Sequence, residues 1–148
     1  MPPLADCYVL VNSRSKRRVE EFLTHFLPRH RSSADEFEIP QYSDRPDRVF
    51  HSAADALSYL EENPNEAHAL YWANEDKTDP RHGMVFPTID GQMIFGLSCD
   101  CEDERLPGQV LERMKAFLKS PNGYILFEEP PPRSAEEFVS VVKSLITK

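Results

Sequence analysis

The stretch from Met84 to Leu97, MVFPTIDGQMIFGL, constrains the fold more than any other in this chain. It reads as two short strands joined at Asp90-Gly91. Asp-Gly between apolar runs is a strong hairpin signal, because a type I′ turn needs positive φ at both central residues. A two-residue loop sets Ile89 opposite Gln92, Thr88 opposite Met93 and Phe86 opposite Phe95. Met84, Phe86, Met93, Phe95 and Leu97 then share one face. That face must be covered, since an isolated hairpin is marginal in water. The polar stretches 74–82 and 98–104 flank the hairpin and must emerge together at the end away from the turn. Asp79, Arg81 and His82 are therefore expected close to Cys99, Asp100 and Cys101.

The rest of the chain offers the cover. CYVLVN at 7–12 is a continuous apolar run, suited to a strand buried on both faces. Val19, Phe22, Leu23, Phe26 and Leu27 recur at helical spacing before Pro28, and 29–34 reads as a polar loop. A short strand is expected around Phe37 and Ile39, and an irregular connection over 40–50. Ser52 opens a second helix with Ala53, Ala56, Leu57 and Leu60 on its stripe. Residues 67–73 form a strand, and a third helix carries Val110, Leu111, Met114, Phe117 and Leu118. Tyr124 to Phe127 read as another buried strand. Ser134 to Glu137 form a capping box for a last helix with Phe138, Val141, Val142 and Leu145 inward. The class is α+β with mixed α/β character: one domain over 1–148, a mixed sheet of five or six strands around a central hairpin, and four amphipathic helices. Strand–helix alternation favours parallel pairing for some strands.

Charge narrows the partner. Residues 1–50 carry eight Lys/Arg and eight Asp/Glu, so the net −8 arises wholly in 51–148. An acidic surface argues against nucleic-acid binding, which depends on neutralising phosphates. It suits solubility, or the steering of a basic protein partner. The start, MPPLADCYVLVNS, lacks a signal-peptide pattern, and no apolar stretch approaches the ~20 residues of a membrane span. A cytoplasmic setting with free Cys7, Cys99 and Cys101 is expected.

Three features are candidates for chemistry. Ser13, Arg14, Ser15, Lys16 and Arg17 sit where a strand passes into a helix, and free N–H groups with cations there make an anion site. The joint has no glycine, so neither a P-loop nor a dinucleotide fingerprint is present and no cofactor is expected. Cys99-Asp100-Cys101 with Glu102 and Asp103 lacks the second ligand pair of a zinc site, so no metal is expected. The loop after Trp72 gathers Glu75, Asp76, Asp79, Arg81 and His82, but no catalytic signature surrounds it, and no catalytic residue is assigned. Trp72, that loop and Asp100, Glu102 and Asp103 form the expected binding surface. The leading reading is a non-enzymatic acidic protein-binding protein, an inhibitor, an immunity-like protein or an adaptor. The alternative is a small-ligand or phosphate-binding protein, an enzyme included, that uses the 13–18 joint.

Overall fold

The apolar run that includes 7–12 becomes β1 (Leu4–Val11), an interior strand of the sheet; it is buried along nearly all its length. In the computed structural model, which describes residues 4–146, a six-stranded sheet runs in the order β2 (His30–Ser32), β5 (Leu70–Asn74), β6 (His82–Pro87), β7 (Met93–Asp100), β1, β8 (Gly123–Phe127). β3 (Phe37–Ile39) and β4 (Arg48–Phe50) form a separate ribbon. The helices are α1 (Lys16–Phe26), α2 (Ala53–Glu62), α3 (Leu106–Leu118) and α4 (Ala135–Ile146). The α+β class, the six strands with their hairpin and the four helices are as the sequence implies. β2 and β4 were not legible: each is three residues long, and neither is buried.

The described strand pairs are all antiparallel, against the parallel pairing that the alternation suggests. The reason is insertion. β7 and β8 are both antiparallel to β1, so β7, α3 and β8 do form a crossover between strands of one direction. β1 lies between them and separates what would have been parallel neighbours.

The hairpin is present, but its register differs from expectation by one residue. Phe86 pairs with Ile94 and Pro87 with Met93, and Thr88 N–H donates to the Gln92 carbonyl at 3.0 Å. The loop is therefore Ile89-Asp90-Gly91, with Gly91 at φ +84. A one-residue slip carries every side chain of one strand to the other face. Met84 and Phe86 consequently join Ile94, while Met93, Phe95 and Leu97 join Val85 on the opposite side. The extra loop residue has a use outside the hairpin. Asp90 accepts the N–H of Ala135 at 2.8 Å and of Glu136 at 3.1 Å, so the turn caps α4.

Each face of the sheet has its own core. On one, α1, α2 and α3 bring Phe22, Leu23, Leu60, Leu111 and Met114 onto Cys7, Val9, Trp72, Phe95 and Leu97. On the other, α4 sets Phe138 and Val142 against Tyr8, Leu10, Met84, Ile94 and Tyr124. Gly96 leaves room there, since a Cβ at that position would lie 3.0 Å from the Tyr8 ring. The 124–127 strand is an edge, not a buried centre: Tyr124 is inside, but Phe127 is 58% exposed.

Candidate functional site

The two polar loops do meet at the open end of the hairpin. Arg81 lies between Asp79 at 3.5 Å and Asp100 at 3.4 Å, and Asp79 also accepts the Asp100 N–H at 2.9 Å. The remaining carboxylates serve their own loops. Asp100 accepts from Glu102 N–H, Asp103 from Arg105 N–H, and Asp76 pairs with Arg29 at 2.8 Å. Exposed pairs of this kind contribute ~0–1 kcal/mol each. Glu75 and His82 are exposed. Trp72 is not part of this surface: it is 3% exposed and packs into the three-helix core, because Leu70 and Trp72 share the inward side of β5.

Cys7 and Cys99 are buried neighbours on β1 and β7, and the Cys7 thiol donates to the Pro107 carbonyl at 3.4 Å. Contact with Cys99, then burial, push the Cys7 thiol well up, so it stays protonated. Among the described residues, no three His, Cys, Asp or Glu side chains converge as a metal site.

The 13–18 joint is spoken for internally. Arg14 is buried, and its guanidinium donates to the carbonyls of Leu60 at 2.8 Å, Asn63 at 2.9 Å and Thr88. It thus ties the C-terminus of α2, where a cation complements the helix dipole, to the hairpin. Burial lowers its pKa, opposed by Glu66 and Asp90. Ser15 caps α1 by accepting Arg18 N–H. The Lys16 N–H, which an anion would use, donates to the Glu61 carboxylate at 2.6 Å, and Arg17 pairs with Glu21. Ser13 is half-buried beside them.

A concavity with aromatic walls lies elsewhere, on the α4 side of the sheet. α4 covers β1, β7, β8 and Met84 of β6 but does not reach over Ala69, Tyr71 and the outer side of Phe86. Two segments wall that part. The first is the strap 128–133 that joins β8 to α4. Asp6 accepts the Ser98 hydroxyl at 2.8 Å, and the N–H groups of Glu128 and Glu129 also favour its charged form. Burial is the larger effect and raises its pKa. The Tyr8 hydroxyl donates to the Glu129 carbonyl at 2.6 Å, and Ile89 N–H to the Arg133 carbonyl at 3.0 Å. The strap is thus pinned at both ends. Asp6, Ser98 and His82 lie in one cross-strand row, but Ser98 donates to Asp6 and so stands outside a Ser–His arrangement.

The second wall is the 36–42 segment, folded around the edge of β5. The Gln41 side chain holds both backbone groups of Ala69, at 2.8 Å and 3.1 Å, as a strand would. His68 Nε2 lies 3.0 Å from the Glu38 carbonyl while Nδ1 accepts the Ala69 N–H. Tyr42 sits at φ +64, its N–H on the Glu38 carboxylate at 2.9 Å, and its ring is 79% exposed. Between the walls is a groove of about 430 Å³ floored by Ala69, Tyr71 and Phe86 and rimmed by Tyr42 and Pro130 to Pro132. It continues past His68 into a second hollow of about 500 Å³ edged by Glu36, Glu38 and His82. Of the expected site residues only His82 borders it. Pro130-Pro131-Pro132 and the 40–50 irregularity were its only signals in the sequence, and neither shows that the two segments meet.

Comparison with family models, with curated proteins and with solved structures gives no match.

Proposed function

We propose that this chain is a non-enzymatic protein-binding protein, of the inhibitor, immunity-like or adaptor kind, that takes an extended partner segment into the groove over β5 and β6. The observation that carries the reading is the pair of exposed tyrosines in one concavity: Tyr42, and Tyr71 at 41% exposure, beside Phe86 and a row of prolines. Apolar concavities with a few fixed polar groups are the usual binding sites, and tyrosine is a frequent anchor at interfaces. Tyr42 is held in the left-handed region, which a bulky residue adopts at a cost, and there its ring stands in solvent. Glu36 and Glu38 at one end, on a chain of net charge −8, favour a basic segment.

Capture from the native cell lysate, at low and high salt, tests this with the parent chain and the Tyr42→Ser, Tyr71→Ser double variant. The parent is expected to retain a specific protein, less of it at high salt, and the variant to lose it. Equal capture by both chains, or capture indifferent to salt, would sink the reading.

A further inference from the structure

The two edges of the sheet are built differently. β2 is three residues of mixed polarity, HRS, whereas β8 is Gly123-Tyr-Ile-Leu-Phe127, and no described strand pairs with its outer side. The phase of the ladder fixes which of its backbone groups face outward. Leu10 N–H donates to the Asn122 carbonyl at 2.8 Å, so these two form a hydrogen-bonded pair. Such pairs alternate with open ones along an antiparallel ladder, so Tyr8/Tyr124 and Asp6/Leu126 belong to the same set. The N–H and C=O groups of Gly123, Ile125 and Phe127 therefore point away from β1. The strand has no proline, charged side chain or bulge, the devices that ordinarily blunt an edge.

We infer that β8 pairs with the β8 of a second copy of this chain, about a two-fold axis at Ile125, so that two sheets become one. The register carries the inference. The outward residues are symmetric about Ile125, so antiparallel self-pairing sets Ile125 against Ile125 and Gly123 against Phe127. Every outward N–H then meets an outward C=O. An axis at Gly123 would instead set Ile125 against Pro121, which has no N–H. An axis at Phe127 would set Ile125 against Glu129 and leave Gly123 at the strap.

Side chains and charge agree with that register. Phe127 and Gly123 lie on the same face, opposite Ala5 and Val9. The exposed Phe127 ring is therefore set beside Gly123 of the second copy, where Val9 and Leu111 already line that face, and gains an apolar neighbour it lacks in one chain alone. On the other face Tyr124 meets Leu126 of the second copy, which is half-buried in one chain alone. Glu128 and Glu129 come against the 119–122 turn, which carries Lys119, and not against their own counterparts.

A five-residue pair buries much less than the ~1,600 Å² of a standard interface, so the association is weak and concentration-dependent. Sedimentation equilibrium of the full chain from micromolar to millimolar concentration is expected to move from 17.0 kDa toward twice that mass. Over the same range, amide exchange at Gly123, Ile125 and Phe127 should slow while exchange at Tyr124, already paired with β1, stays constant. Phe127→Pro removes one outward N–H and leaves the β1 ladder intact, and should remain monomeric. Should it fail to fold, Phe127→Lys alters only an exposed side chain and should also remain monomeric. A parent chain that keeps the single-chain mass with unchanged exchange overturns the inference. So does a dimer that persists in the folded Phe127 variants.

Discussion

The two faces of the sheet are covered to different extents, and the contrast organises the molecule. Three helices seal one face, where Phe22 meets Phe95 edge-on at 5.0 Å and water has no entry. One helix covers the other face, and its remaining half is bounded only by the strap and the 36–42 segment. The same sheet thus offers a closed, close-packed interior and an open concavity with aromatic walls. A sealed core is about stability, whereas exposed tyrosines gathered in a hollow have no packing reason to be there. What keeps the hollow open is that its walls are tied back by polar contacts: Gln41 and His68 on one side, Asp6 and Tyr8 on the other. Hydrophobic collapse of either wall would close it.

The sharpest break in this comparison is truncation of one phenylalanine on each face. Phe95→Ala leaves a closed cavity among α1 and α3 and is expected to cost about 4 kcal/mol. Phe86, packed edge-on to Tyr8 and Tyr71, borders the groove, so Phe86→Ala widens a space that water already reaches and should cost about 2 kcal/mol. Urea unfolding at neutral pH compares the two. Equal costs would mean that the groove face is packed as tightly as the sealed one. Next in size is Arg14, which joins α2 to the hairpin. Arg14→Ala strands the Thr88 carbonyl, takes one of two donors from the Leu60 and Asn63 carbonyls, and is expected to cost about 3 kcal/mol, with Arg14→Lys recovering part. If Arg14→Ala unfolds at the parent's midpoint, the buried guanidinium is not what holds that joint.

Much of this was legible in the sequence, because periodicity reports burial. The helical stripes at 19–27 and 110–118 and the strand at 7–12 are plain, as is the meeting of Asp79 and Arg81 with Asp100. The hairpin was legible as a hairpin but not in register: Asp90 is retained as a cap for α4, 45 residues away in sequence, and no local rule sees that partner. Trp72 and Arg14 were misplaced for a related reason. A tryptophan beside a polar loop and an arginine beside a helix start resemble surface groups, yet one points into the core and the other onto carbonyls from two distant elements. The groove was least legible, since its walls are irregular segments that only the fold brings together.

The smallest expected effect lies where the two faces meet, at His68. Its ring packs 6.4 Å from Phe37, which belongs to the sealed core, and lines the open groove on its other side. Nε2 reaches the Glu38 carbonyl at 3.0 Å, and Nδ1 lies 3.0 Å from the Ala69 N–H and 3.2 Å from the Ala69 carbonyl, so the neutral ring with its proton on Nε2 accepts from Ala69. Burial lowers its pKa below the ordinary value, with the Glu38 and Ala69 carbonyls and the Glu66 and Glu38 charges opposing. A histidine so depressed contributes its stability fully above the unfolded value of ~6.5, and that contribution is lost as pH falls through the lower folded value. Protonation places a charge on a buried ring and takes Nδ1 away from the Ala69 N–H, so the 36–42 wall should loosen first. Acidification below about 6.5 is expected to lower the protection of the Ala69 and Tyr42 amides, measured against the unstructured exchange rate at each pH, before it affects Val9 or Phe95. His68→Gln, which can donate to Glu38 and cannot titrate, should flatten that dependence. NMR titration of the ring decides the matter: a His68 that titrates at or above the unfolded value would mean that the wall is not held by a neutral imidazole.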